Sequence, residues 1–142
     1  MRRALLVALM LLLARSAIAL AEDLSPSEAV RKWTRLYGKD TVQAAALTTD
    51  HFRKGEALEK WAEKIQRGPK EIGYAHLGGK ITEEIVGKEE ATVTLQALIA
   101  AIDGVGTQTE VYTLKRVEGR WLIDNLEVKG EIVPRGKNPY PF

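Results

Sequence analysis

The chain has 142 residues, with 21 lysines and arginines, 19 aspartates and glutamates, and no cysteine. Without cysteine there are no disulfides, no thiolate metal sites, no cysteine nucleophile and no lipidated N-terminal cysteine. Basic and acidic residues alternate along the chain and form no basic stripe interleaved with aromatics, which argues against a nucleic-acid partner.

In chain order, Met1-Arg2-Arg3 is a short basic segment, and residues 4–13 form an unbroken apolar run. Small residues follow at Ala17, Ala19 and Ala21, the order a secretory signal peptide requires. Two A-x-A sites compete, and cleavage after Ala21 is preferred because it leaves polar Glu22-Asp23 at the new N-terminus. An uncleaved anchor is disfavoured because Arg15 cuts the apolar run well short of the ~20 residues of a membrane span. The expectation is therefore a signal peptide over 1–21, a domain over 22–131 and an extended Pro/Gly-rich tail over 132–142, in an exported protein, periplasmic or secreted, without a stable membrane anchor. Removing Arg2, Arg3 and Arg15 from the 21 basic residues leaves 18 against 19 acidic ones, a net charge of −1. About 120 residues then remain, enough for one core and too few for two.

Ser25-Pro26-Ser27-Glu28 predicts a capped helix start: Ser25 as N-cap, Pro26 in the first turn, Glu28 reaching back. Ala29, Val30, Trp33, Leu36 and Tyr37 then share one helical stripe. Gly38 ends that helix, Asp40 opens a short second one through Leu47, and a third is expected over 55–66, with Leu58, Trp61, Ala62 and Ile65 inward. Arg67-Gly68-Pro69 is expected to stop it. The period then switches to alternation. Residues 71–77 are a weak strand candidate, 81–86 a better one and 92–102 a strong one. A turn at Gly104-Val105 would pair Ala97 with Tyr112 and Leu95 with Leu114.

The stretch over 109–128 reads as a hairpin around Glu118-Gly119. A two-residue loop pairs Arg116 with Trp121, Leu114 with Ile123 and Tyr112 with Asn125. Alternation then places Tyr112, Leu114, Trp121, Ile123 and Asn125 on the core face, with Val93, Leu95, Ala97 and Ile99. The outer face carries Leu98, Ala100, Val111, Leu122 and Leu126 beside Gln96, Lys115 and Asp124. So apolar a face is read first as ordinary surface leucines or cover from the tail, and as the sharper alternative a homodimer through the outer sheet face.

Three N-terminal helices followed by an antiparallel sheet that ends in Tyr112-x-Leu114…Glu118-Gly119-Arg120-Trp121-x-Ile123 resemble the nuclear transport factor 2-like superfamily. The opening Ser25-Pro-Ser-Glu-Ala-Val…Trp33…Tyr37-Gly38-Lys39-Asp40 resembles its start. The resemblance implies an α+β fold in which N-terminal helices pack on a curved antiparallel β-sheet, a cone often left with a pocket. Its members include ketosteroid isomerases, scytalone dehydratases, polyketide cyclases, transport factors and many exported domains of unknown role. The enzymes among them use an Asp or His base inside the cone.

For chemistry, the candidate bases are His51, His76 and Asp40, each with a plainer role at hand: Asp40 as a helix cap, the histidines as surface or satisfied side chains. Trp33, Tyr37, Trp61, Tyr112, Trp121 and Asn125 are the candidate lining of a ligand pocket, the aromatics serving otherwise as core. Gly104-Val105-Gly106 lies between strands and is no dinucleotide fingerprint, and two histidines without ligand spacing imply no metal. Beyond the signal only Ser25 and Ser27 remain as serines, both at the helix cap. No cofactor is implied. The expected function is a non-catalytic exported cone-fold domain that binds a small apolar ligand or a protein. The alternative is an isomerase- or dehydratase-like enzyme with one of the three bases and Tyr112 as oxyanion donor.

Overall fold

The computed structural model describes residues 23–71, 74–101 and 104–134. The expected signal peptide and the end of the tail lie outside the described residues. The order is three helices, α1 (Pro26–Leu36), α2 (Thr41–Ala45) and α3 (Leu58–Glu71), then four strands, β1 (Ala75–Val86), β2 (Glu90–Ala101), β3 (Gly104–Val117) and β4 (Arg120–Pro134). The strands make one curved, unclosed antiparallel sheet in sequence order. The fold is α+β, helices against one face of the sheet.

Helix α1 starts as its sequence dictates. The Glu28 N–H donates to Ser25 Oγ at 3.2 Å and the Ser25 N–H donates to Glu28 Oε2 at 2.8 Å, a reciprocal capping box. The Ser27 N–H donates to Glu84 Oε2 of β1 at 2.9 Å, tying the helix start to the sheet. Pro26, Ala29, Val30 and Trp33 form its buried stripe. Gly38, at φ 80°, turns the chain into α2. Asp40 caps that helix, its Oδ1 accepting from the Gln43 N–H at 3.1 Å. Helix α3 runs past the expected stop and carries Pro69 in its last turn. There the missing N–H removes one ladder bond near the end of the helix rather than breaking its middle.

The core is a single cluster: Ala29, Val30 and Trp33 from α1, Ala44 and Leu47 from the α2 region, and Val93, Leu95, Ala97, Ile99, Tyr112, Leu114 and Ile123 from the sheet. Trp33 is its centre. Its ring lies 5.1 Å from Tyr37, 5.7 Å from Phe52 and 6.1 Å from Trp61, with Phe52 edge-on. The space above the concave face is thus filled by side chains.

One strand and two pairings differ from the sequence expectation. Residues 75–86 form one strand, not two, with register shifts at His76/Gly78 and Ile81/Glu83 that break simple alternation. In the β2–β3 pair Ala101 meets Gly104, so Ala97 faces Gln108, Leu95 faces Glu110 and Val93 faces Tyr112. Gly104 and Val105, the expected apex, lie inside β3, where the longer ladder satisfies more backbone groups. The displacement is an even number of residues, so each side chain keeps its face. In the β3–β4 hairpin both turn residues have positive φ, 50° at Glu118 and 77° at Gly119, and the pairing holds as far as Leu114–Ile123. A bulge follows. Thr113 faces Asn125 and Tyr112 faces Leu126. Asn125, expected on the core face, is therefore exposed, and Leu126, expected outside, packs against the core.

The bulge has a tertiary cause. The segment after α2 docks on β4: the Ile123 N–H donates to the Leu47 carbonyl at 2.7 Å, and the Thr49 N–H donates to the Ile123 carbonyl at 2.9 Å. The Thr49 hydroxyl also donates to Asp124 Oδ1 at 2.7 Å. Asp124 is the extra residue.

Candidate functional site

The described surface includes two hollows. One, about 580 Å³, is a cleft between the C-terminal half of α1 and the start of β1, lined by Tyr37, Tyr74, His76, Leu77 and Leu95, with Arg31, Arg35 and Lys39 at its rim. The other, about 650 Å³ and more open, lies at the bulge and is lined by His51, Phe52, Lys54, Asp124, Asn125 and Leu126.

The cleft stands over a buried polar network. Alternation along β3 places Glu110 on the same face as Tyr112, pointing into the core, where its side chain is only 2% exposed. A carboxylate in such a place must be hydrogen-bonded. His76 Nε2 lies 2.8 Å from Glu110 Oε1, the Gln108 side-chain amide donates to Oε1 at 3.0 Å, and the Tyr112 hydroxyl donates to Oε2 at 3.1 Å. Gln108 also donates to the Tyr74 hydroxyl at 3.3 Å. Tyr37, Tyr74 and His76 then meet edge-on, with ring centroids 5.4 to 6.4 Å apart.

The environment shifts all three tyrosines in one direction. Burial pushes the Tyr74 hydroxyl up to about 12, helped by the charges of Glu110 and Tyr37 and opposed by the Gln108 hydrogen bond. Burial and the Glu110 charge also raise Tyr37. Tyr112 is raised by burial first and then by Glu110, against a hydrogen bond from Trp33. Each phenol is kept neutral.

Two polar atoms of this group remain available. Among the described residues neither His76 Nδ1 nor the Tyr37 hydroxyl has a protein partner, and no buried side-chain polar atom is left unpaired. Both atoms are therefore open to the solvent of the cleft that their residues line. His76 itself is 10% exposed. It is a fixed ring: one nitrogen is held by a carboxylate, the other faces outward.

The residues singled out from the sequence separate into groups. His76 and Tyr37 line the cleft. His51 and Asn125 meet at the second hollow. His51 Nδ1 lies 3.2 Å from the Asp124 carbonyl and 3.3 Å from its carboxylate, but the imidazole is 77% exposed. Asp40 is engaged in capping and lines neither hollow. Trp33, Trp61 and Trp121 belong to or pack on the core. Tyr112 is fully buried, and its hydroxyl is spent on Glu110, so it presents no donor to the cleft. Glu110, Gln108 and Tyr74 were not among the sequence candidates. For Glu110 and Gln108 the signal existed, since both share the parity of Tyr112 in one strand. Among the described residues no cluster of three His, Asp or Glu is placed to hold a metal ion.

No protein-family model matches the chain, and no curated protein matches its sequence. Solved structures do match. A nuclear transport factor 2-like protein of unknown function from Shewanella baltica superposes with a TM-score of 0.53 at 13% identity, covering 76% of this chain and 92% of its own. A protein of unknown function with a cystatin-like fold from Nostoc punctiforme gives 0.56 at 12% identity, covering 74% and 87%. A second domain with a cystatin-like fold from the same organism gives 0.57 at 12%, covering 74% of each chain. At this identity the likeness concerns the fold alone: helices on a curved antiparallel sheet, shared with these nuclear transport factor 2-like and cystatin-like proteins.

Proposed function

We propose that this protein is an exported small-molecule-binding domain whose ligand occupies the cleft between α1 and β1. The observation that carries the proposal is the pair of free polar atoms, His76 Nδ1 and the Tyr37 hydroxyl, beside the apolar walls Tyr74, Leu77 and Leu95. A concave, partly apolar site with a few fixed polar groups is what small ligands select, and the volume lies in the usual range. Glu110 pre-orients His76, so little ordering is left to pay for on binding. The test is native mass spectrometry of the mature protein purified from its own compartment. A retained small molecule that is lost from a Thr34→Phe variant, in which a ring projects into the cleft, supports the proposal. A clean apo mass in both, with no competing small-molecule binding at the cleft, removes it.

The His76–Glu110 pair favours a second reading, an acid–base enzyme. A carboxylate behind an imidazole fixes the ring and stabilises the imidazolium formed when the outer nitrogen takes a proton. His76 is then the base and Tyr37 the hydroxyl near the developing oxyanion. Turnover of a cyclic unsaturated ketone that falls by a factor on the order of 100 or more in His76→Ala would favour this reading. Binding of that ketone without any turnover would leave the domain a binder.

A further inference from the structure

We infer that the ligand of the α1–β1 cleft is a cyclic organic carboxylate, its ring held by the apolar walls and its anionic group by Arg31, Arg35 and Lys39. The inference rests on the cleft being the binding site, and it adds the chemical class. Arg31 and Arg35 stand one turn apart on the same face of α1, and Lys39 follows just beyond the helix. All three are exposed at the cleft, and among the described residues none has an ion-pair partner. Among the described residues no aspartate or glutamate lines the cleft. Glu110 lies behind His76, with its oxygens taken by His76, Gln108 and Tyr112.

A structural role accounts for only part of this arrangement. A cation in the last turn complements the helix dipole, which suits Arg35. Like charges at this spacing repel, however, and three cations lining one concavity raise the local potential in a mature chain of nearly neutral net charge. An anion relieves that repulsion. Arginine forks match carboxylates bidentately, and the Tyr37 hydroxyl adds a neutral donor to the polar side of the site. The rings of Tyr37 and Tyr74 and the side chains of Leu77 and Leu95, which line the same cleft, offer apolar surface to a ring.

The test titrates the mature protein with naphthoate and with its neutral counterpart naphthamide, following the backbone amides of Tyr37, Gly38, His76, Gly78 and Gly79 by NMR. Naphthoate is expected to shift these amides saturably and to bind at least about tenfold more tightly than naphthamide, as charge-assisted hydrogen bonds predict. The Arg31→Gln/Arg35→Gln double variant should weaken naphthoate by a similar factor and leave naphthamide unchanged, and Thr34→Phe should abolish both. Equal binding of the two probes, unaffected by the arginine changes, would overturn the carboxylate inference while keeping the cleft as a binding site. No shift with either probe would overturn both. Naphthoate binding that survives Thr34→Phe would mark surface ion pairing and overturn the inference as well.

Discussion

His76 Nε2 and Glu110 Oε1 are 2.8 Å apart although their strands, β1 and β3, are not neighbours. The pair reaches over β2. His76 sits opposite Ile99 and Glu110 opposite Leu95, so the core-facing residue between those two positions is Ala97, whose methyl leaves room for the contact. Glu110 therefore gathers donors from three positions on two strands, and its loss strands them all. Glu110→Ala should cost about 3–5 kcal/mol, as expected for removing one partner of a buried pair, and Glu110→Gln about 1–2 kcal/mol, because the amide keeps an acceptor oxygen. Urea denaturation of the two variants against wild type measures both. Equal, sub-kilocalorie losses would mean the network does not hold the sheet together.

The three raised tyrosines make stability depend on alkaline pH. A phenol whose folded pKa lies above its unfolded value keeps a proton that the unfolded chain has released, so the folded state loses ground as pH rises. For Tyr74 the window runs from the ordinary 10.0 to about 12. Tyr37 and Tyr112 act in the same direction. The contribution is complete below the lower bound and lost through the upper one. Thermal denaturation followed across that window should show the midpoint falling in wild type and falling less steeply in Tyr74→Phe. Phenolate absorbance should rise late in the folded protein and at the ordinary pH once it is unfolded.

Alternation and capping carried the fold because they are local. Ser25 with Glu28, the positive-φ turn at Glu118-Gly119 and the buried parity of Val93, Leu95, Tyr112 and Leu114 need only their sequence neighbours. Even a wrong β2–β3 register kept the faces, since the displacement was even. The misplaced residues were set from a distance. Asn125 left the core face because Leu47 and Thr49 dock on Ile123, some 75 residues away in the chain, as the Thr49–Asp124 bond also shows. His76 was obscured by two register shifts in β1. Glu110 lay on a legible face, but a charged residue on an apolar face makes sense only once Gln108, Tyr112 and His76 are seen to satisfy it.

Trp33 is the residue that fills the cone, and its removal has a distinctive consequence. It is nearly inaccessible and in ring contact with Tyr37, Phe52 and Trp61. Trp33→Ala should destabilise by about 3–5 kcal/mol, the transfer cost plus the cavity left behind. Such a cavity is walled largely by rings and aliphatic side chains, with the Tyr112 hydroxyl that Trp33 bonds, and is shaped for an indole. Added indole should raise the melting temperature of the variant and leave wild type unchanged. Failure of indole to rescue a folded variant would mean that neighbouring rings collapse into the space.

Arg53 controls the bulge from the other side of the loop. It is buried, and its Nη1 donates to the Thr48 carbonyl at 2.7 Å and to the Thr48 hydroxyl at 2.9 Å, while Nη2 pairs with Asp50 at 2.5 Å. The Thr48 hydroxyl in turn donates to the Ala45 carbonyl at 2.6 Å. This fork clamps the segment whose Leu47 and Thr49 bond Ile123. A lysine keeps the charge but cannot serve the Thr48 oxygens and Asp50 with one planar head. Arg53→Lys should therefore cost about 1.5–3 kcal/mol, the worth of the charge-assisted bonds it loses. The loss should be local as well as global: the amides of Thr49 and Ile123 should exchange with solvent faster, while those of the β2–β3 ladder keep pace with overall unfolding. Uniform acceleration across the sheet would show that the loop and the ladder open as one unit, and that the bulge at Asp124 does not depend on Arg53 alone.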